Sequence, residues 1–160
     1  PDLVQKVAQI LEETGLEAKY LELEITEETA MDNLEFTRGV LMQLRDLGVR
    51  ISMDDFGVGY ASLNYLKQLP LNTIKIDLSF IRDLMVNPVD MAIVRAIVEL
   101  GRGLDLTVVA EGVETLEQWK ALRDLGCQMI QGYSISAPLL PDEATKLLSR
   151  VRLEQRLKSA

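Results

Sequence analysis

Val49-Arg50-Ile51-Ser52-Met53-Asp54-Asp55-Phe56-Gly57-Val58-Gly59-Tyr60 reads as a short apolar strand that ends on two aspartates and opens into a loop with two glycines. A regular strand sends neighbouring side chains to opposite faces. Asp54 and Asp55 can therefore serve one site only if the strand stops between them and the backbone turns. Gly57 and Gly59 permit such a turn, because glycine takes positive φ at little steric cost. Two carboxylates at a strand mouth invite a hard divalent cation. Taken alone, the stretch fits a polar loop with merely solvated aspartates equally well.

Outward from this stretch, helical and strand patterns alternate. Upstream, Pro1 to Thr14 carries apolar residues at helical spacing and is closed by Gly15. Leu21 to Ile25 then alternates as a strand, with Leu21, Leu23 and Ile25 on one face and Glu22, Glu24 and Thr26 on the other. Residues 30 to 46 return to helical spacing and end at Gly48. Downstream, the pattern predicts a helix from Tyr60 to Gln68, a strand over Thr73–Asp77 and a short helix from Ser79 to Met85. A helix from Pro88 to Gly101 follows, then a strand over Thr107–Ala110. Leu116, Trp119, Leu122 and Leu125 mark another helix capped by Gly126, and Gln128–Tyr133 is the fifth strand. Residues 142–160 form a terminal helix and tail after Pro141.

Strands that alternate with helices imply an α/β fold with parallel strands covered by helices. In such folds the chemistry lies at the carboxyl ends of the strands. The five strands here end at or just before Glu24, Asp54, Lys75, Glu111 and Gln131. Polar side chains at every one of those ends point to a shared site.

Composition narrows what that site can do. At 160 residues the chain is one domain, 48% hydrophobic and 26% charged. It has no histidine, which excludes Ser-His-Asp, Cys-His and zinc-histidine chemistry. Its single cysteine, Cys127, excludes an internal disulfide and is expected to be a buried thiol. A net charge of −8 argues against DNA and against membrane surfaces. No apolar run approaches the roughly 20 residues that cross a bilayer. Pro1-Asp2-Leu3-Val4-Gln5-Lys6 lacks the features of a signal peptide, so a cytoplasmic setting is expected.

Glu24, Asp54 and Asp55 offer oxygen ligands only, which suits Mg²⁺ or Mn²⁺. Lys75 could hold a water or a phosphate oxygen, or simply pair with a neighbouring carboxylate. Glu111 is either a further ligand or the base that takes a proton from an attacking water. Gln131 could orient substrate or water, or merely end a strand. Carboxylates with a lysine and two metals fit in-line hydrolysis of a phosphodiester. Asp55-Phe56-Gly57 copies a kinase triplet, but no HRD loop precedes it. Gly57-Val58-Gly59 lacks the third glycine of a dinucleotide turn.

Glu24-Ile25-Thr26-Glu27, Asp54-Asp55-Phe56-Gly57-Val58-Gly59-Tyr60, Ile74-Lys75-Ile76-Asp77, Ala110-Glu111-Gly112-Val113-Glu114-Thr115 and Gln131-Gly132-Tyr133 occur in the order found in EAL domains. The chain resembles these bacterial phosphodiesterases, which linearise cyclic di-GMP to pGpG, from about Pro1 to the start of the last helix. The resemblance implies a TIM-like (β/α) barrel whose first strand is antiparallel, and a two-metal site for Mg²⁺ or Mn²⁺. It implies that Glu24, Asp54 and Asp55 are metal ligands, with Asp54 between the ions. Lys75 would contact the nucleophilic water, Glu111 would partner that water or the second metal, and Gln131 would orient the site. Glu27 would pin the loop that holds Gly57 and Gly59, and Glu114 would be a secondary glutamate nearby.

The Glu-Ala-Leu signature is absent, as is the strand ending in Asn that would supply another ligand. Val58 and Ala61 stand where Thr or Ala and Ser are more usual, which bears on the tuning of that loop. The expectation is a single partial EAL domain over 1–160, with five of the eight strands of a barrel that needs about 250 residues. Open sheet edges would favour a homodimer or other association through them. Alone, such a piece is expected to hydrolyse cyclic di-GMP weakly or not at all. The alternative function is a non-catalytic cyclic di-GMP-binding or dimerisation module.

Overall fold

A computed structural model describes residues 3–59 and 63–158, with 63 and 151–158 as backbone alone. The chain runs α1 (Leu3–Thr14), β1 (Glu22–Thr26), α2 (Glu27–Asp32), α3 (Leu34–Asp46), β2 (Arg50–Phe56), α4 (Leu63–Leu66) and β3 (Thr73–Ile76). It continues through α5 (Leu78–Arg82), α6 (Pro88–Gly103), β4 (Thr107–Ala110), α7 (Leu116–Leu125), β5 (Met129–Ile130) and α8 (Pro141–Lys158). The five strands lie in chain order in one sheet, and every pairing is parallel. The α/β class is as expected. Among the described residues β1 and β5 are open edges, and no antiparallel strand is present.

Strand alternation sorts the sheet into two faces, because paired residues of a parallel ladder project to the same side. Ile25 pairs with Met53, Met53 with Ile74, Ile74 with Val108, and Ile76 with Ala110. Met53, Ile74, Ile76, Val108 and Ala110 are all 0% exposed, so this apolar face is the core, packed under residues such as Leu44, Val94 and Leu122. Burying each large aliphatic side chain contributes about 1.5–3 kcal/mol, which fixes the strand register. The opposite face is polar over β1 to β3 and apolar at Val109 and Met129. Glu24, Ser52, Thr73 and Thr107 form one register row, and Lys75, Val109 and Met129 the next.

Capping side chains set the helix starts. Thr26 accepts from Thr29 N at α2, Asn87 from Val89 N at α6 with Pro88 in the first turn, and Thr115 from Gln118 N at α7. Gly126 closes α7 in the left-handed conformation, at φ 87°.

Several boundaries depart from expectation. The single helix over 30 to 46 is two, because Asn33 leaves helical geometry (φ −147°, ψ 79°) and caps α3 by accepting from Phe36 N. β3 stops at Ile76 because Asp77 caps α5, its Oδ1 accepting from Ser79 N at 2.9 Å. α5 ends at Arg82 instead of Met85, and α6 runs on to Gly103. β5 is only Met129–Ile130. Tyr60, Ala61 and Ser62 of the expected 60–68 helix, like Pro1 and Asp2 of the first, lie outside the described residues; Leu63–Leu66 is helical. Cys127 is half-buried rather than buried, with Sγ 3.3 Å from Met129 O, and burial pushes its thiol pKa up. No helix among the described residues is long and apolar enough to cross a membrane.

Candidate functional site

The two aspartates reach one rim by a route other than the expected stop. β2 runs through both of them to Phe56. Between the pairs Met53–Ile74 and Phe56–Ile76 it places two residues, Asp54 and Asp55, opposite the single Lys75. This is a β-bulge, which adds one residue to a strand and re-aims a side chain. Asp55 takes the left-handed conformation at φ 53°, a state that aspartate tolerates better than most residues. The turn therefore begins on Asp55 itself and continues through Gly57 at φ 101°.

Gly59 serves differently, since it does not adopt a positive φ. A Cβ there would stand 2.5 Å from Glu27 Oε1 and 2.8 Å from Glu27 Cδ. Glu27, in the first turn of α2, is 4% exposed, and its Oε2 accepts from Gly57 N at 3.2 Å. The buried carboxylate thus ties α2 to the loop after β2.

Lys75 stands at the centre of the rim and is 7% exposed. Its Nζ lies 2.7 Å from Glu111 Oε1, 2.8 Å from Glu24 Oε1 and 3.0 Å from Asp54 Oδ1. Burial alone would lower the lysine pKa, but the three carboxylates, Glu111 foremost, more than offset this and hold it above its ordinary value. Glu111 follows the end of β4 and keeps its backbone on the ladder, donating from its N–H to Ile76 O at 3.2 Å.

Asp54, Asp55 and Glu111 can each bring one carboxylate oxygen within 4.8 Å of the others. Glu24 is outside that group and meets it through Lys75. Asp54 Oδ1 is buried and has no partner in hydrogen-bond geometry, so its contact with Lys75 is Coulombic. A buried oxygen without a directed donor is costly unless a cation faces it, and here the Lys75 ammonium is that cation. Hard oxygen donors around such an atom suit Mg²⁺ or Mn²⁺.

The remaining candidates lie to one side. Gln131 follows β5, is exposed, and holds the sheet by its backbone, its N–H donating to Ala110 O at 2.8 Å and its carbonyl accepting from Val113 N at 3.1 Å. Gln131 and the exposed Glu114 line a cleft of about 520 Å³ with Leu78, Arg82 and Tyr133. Neither is among the converging carboxylates. Asp77, expected from its pattern to end a strand, is a further neighbour of Asp55. Its Asp-x-Ser spacing to Ser79, a helix-cap pattern, was the available signal.

Asp55 is an exposed residue whose pKa is raised, by partial desolvation first and then by the charges of Asp54 and Asp77, with Lys75 opposing. Its ionised form therefore costs stability above the folded pKa, and that cost is relieved as pH falls toward the ordinary carboxylate value. Asp55→Asn keeps a residue that tolerates the left-handed backbone. It is expected to raise the melting temperature of the metal-free protein by about 1–2 °C at neutral pH. Calorimetric scans with a chelator check this, and the gain should shrink in acid.

Residues 1–138 match the EAL domain family. The chain is 50% identical over 137 residues to the cyclic di-GMP phosphodiesterase NbdA of Pseudomonas aeruginosa, a match that covers 86% of this chain and 18% of that protein. The structure of the phosphodiesterase PaMucR in complex with c-di-GMP superposes with a TM-score of 0.86 at 47% identity, covering 89% of this chain and 57% of that one. The manganese/cyclic di-GMP complex of Klebsiella pneumoniae BlrP1 at pH 9.0 superposes with a TM-score of 0.81 at 37% identity, covering 86% of this chain and 35% of that one. The chain spans only about a fifth of the length of the curated relatives it matches.

Proposed function

The chain belongs to the EAL domain family, and from that premise we propose that its rim is part of the catalytic site of a cyclic di-GMP phosphodiesterase that yields linear pGpG. The observation that carries the proposal is the bulge of Asp54 and Asp55 opposite Lys75, with Glu111 converging on both. Asp54, Asp55 and Glu111 would hold Mg²⁺ or Mn²⁺, with Glu24 as a further ligand brought in by Lys75. Bound there, divalent cations supply charge stabilisation at the phosphoryl oxygens and a more acidic water.

The protein groups do the rest. Lys75 holds three carboxylates in one orientation and offers an ammonium to a phosphate oxygen or to the attacking water. Glu111 would accept the proton of that water as its oxygen bonds to phosphorus and the ester P–O bond breaks, the leaving oxygen taking a proton from bulk water. Glu27 holds the loop after Asp55 through Gly57. Gln131 and Glu114 border the cleft beside the rim, where the nucleotide would extend. Two open edges, β1 and β5, support association through unpaired backbone, with a second copy or a further segment. The chain by itself is expected to turn over weakly or not at all, because the Glu-Ala-Leu signature and the strand ending in Asn are absent from its sequence.

The deciding experiment is Mn²⁺ titration by calorimetry, alongside cyclic di-GMP turnover. Asp54→Asn should weaken Mn²⁺ binding at least roughly ten-fold and abolish whatever hydrolysis the chain shows. Equal affinity in the two proteins would remove the metal site, and with it the hydrolase.

A further inference from the structure

Gln118 is a buried polar side chain that the chemistry above leaves unused; it is 6% exposed. Its Oε1 accepts from Glu114 N at 2.8 Å and Thr115 N at 3.0 Å, and its Nε2 donates to Ile81 O at 2.9 Å. The bond to Thr115 N belongs to a capping box, in which Thr115 Oγ1 accepts from Gln118 N at 3.1 Å. A helix cap needs no more than that. The bonds to Glu114 and Ile81 do something else: they join the loop after β4 to α5, where Ile81 is fully buried.

That loop begins with Glu111. Its course is tight, because Gly112 turns at φ 69° and a Cβ there would stand 2.8 Å from Leu78 Cβ. The backbone is then held on three sides: by β3 through Glu111 N to Ile76 O, by Gln131 O through Val113 N, and by α5 through Gln118. We infer that Gln118 is a positioning residue for Glu111, clamping the loop so that the Glu111 carboxylate stays in the cation-holding group. The inference rests on the metal-site reading above and adds to it a residue that touches no reacting atom. Groups that orient metal ligands from behind typically alter metal affinity 10–100-fold when removed.

Two substitutions separate a clamp from a cap. Gln118→Glu retains the acceptor that a capping box uses but places a carboxylate oxygen against Ile81 O where a donor was. Thr115→Ala removes the other half of the cap and leaves the carboxamide bonds to Glu114 and Ile81 in place. Mn²⁺ affinity is measured by calorimetry well below each melting point, with Asp54→Asn as the reference for loss of the site itself. Gln118→Glu should weaken Mn²⁺ binding about ten-fold, while Thr115→Ala lowers the melting temperature without changing affinity. If Gln118→Glu does not fold, Gln118→Met, of similar length and without polar atoms, takes its place with the same expected loss. Wild-type affinity in the folded Gln118 variant, or equal losses in Gln118 and Thr115 variants, overturns the clamp while the metal site stands. A wild-type chain that binds Mn²⁺ no better than Asp54→Asn overturns both.

Discussion

Lys75→Met is expected to lower the melting temperature of the metal-free protein by roughly 8 °C, about 2–3 kcal/mol for a chain of this size. The substitution keeps the length and apolar stem of a nearly buried side chain, so packing loss is small. What it removes is the cation that Glu24, Asp54 and Glu111 share at 2.8, 3.0 and 2.7 Å. Breaking a fully buried ion pair costs about 3–5 kcal/mol. The lower figure here allows for Glu24, whose side chain is half exposed and can turn to water. Saturating Mn²⁺ should narrow the gap, because a divalent ion restores positive charge to the same carboxylates. The pH dependence has a definite sign. A lysine whose folded pKa is raised stabilises fully below its unfolded value near 10.4. That stabilisation is lost only as pH rises through the folded value. The gap between wild type and variant should therefore hold steady through neutral pH and close only in strong alkali. Thermal scans with a chelator decide it: a variant melting within about 2 °C of wild type removes Lys75 from its central place.

Gly132→Ala is the other large effect, and it acts through backbone alone. A Cβ at Gly132 would fall onto the carbonyl oxygen, nitrogen and carbonyl carbon of Val113. Val113 has nowhere to move, since its N–H donates to Gln131 O at 3.1 Å and its carbonyl accepts from Ser134 N at 3.0 Å. It is also 0% exposed. Relief therefore requires breaking the junction between the loop after β4 and the turn after β5. The expected loss is about 3 kcal/mol or more, a melting point lower by roughly 10 °C. Mn²⁺ affinity should fall with it, because the displaced loop begins at Glu111. Gly39→Ala is the matched control. That glycine is exposed in the middle of α3 with nothing within 4 Å of a Cβ. Alanine there should raise stability by about 1 kcal/mol. Urea unfolding of the three proteins compares them, and equal midpoints for Gly132→Ala and wild type would refute the steric argument.

Much of this was legible in the residues. The alternation in Leu21–Ile25, the apolar runs around Ile74 and Val108, and the glycines at 48 and 126 place strands and helices close to where they lie. Parallel order follows from their spacing, and Glu24, Asp54, Lys75 and Glu111 meet as strand-end residues should. Other features depend on contacts remote in sequence. The left-handed Asp55 is set by where β3 resumes its register, and no local pattern around the two aspartates reports it. Gly59 looks like a turn residue, yet it is small because Glu27 lies against it. Gln131 falls within the expected strand Gln128–Tyr133, but β5 is short and the Gln131 side chain lines a neighbouring cleft. Asn33 and Asp77 carried cap signals that competed with strong periodicity, and in both places the cap prevailed.

The surplus residue in β2 lets the rim carry two adjacent carboxylates without shifting the packing beneath them. Pairing resumes at Phe56 opposite Ile76 as though nothing had been inserted, and the buried side of the sheet does not register which residues stand at 54 and 55. What constrains the two positions is local instead: 55 needs a residue that accepts φ 53°, and 54 a partner for Lys75.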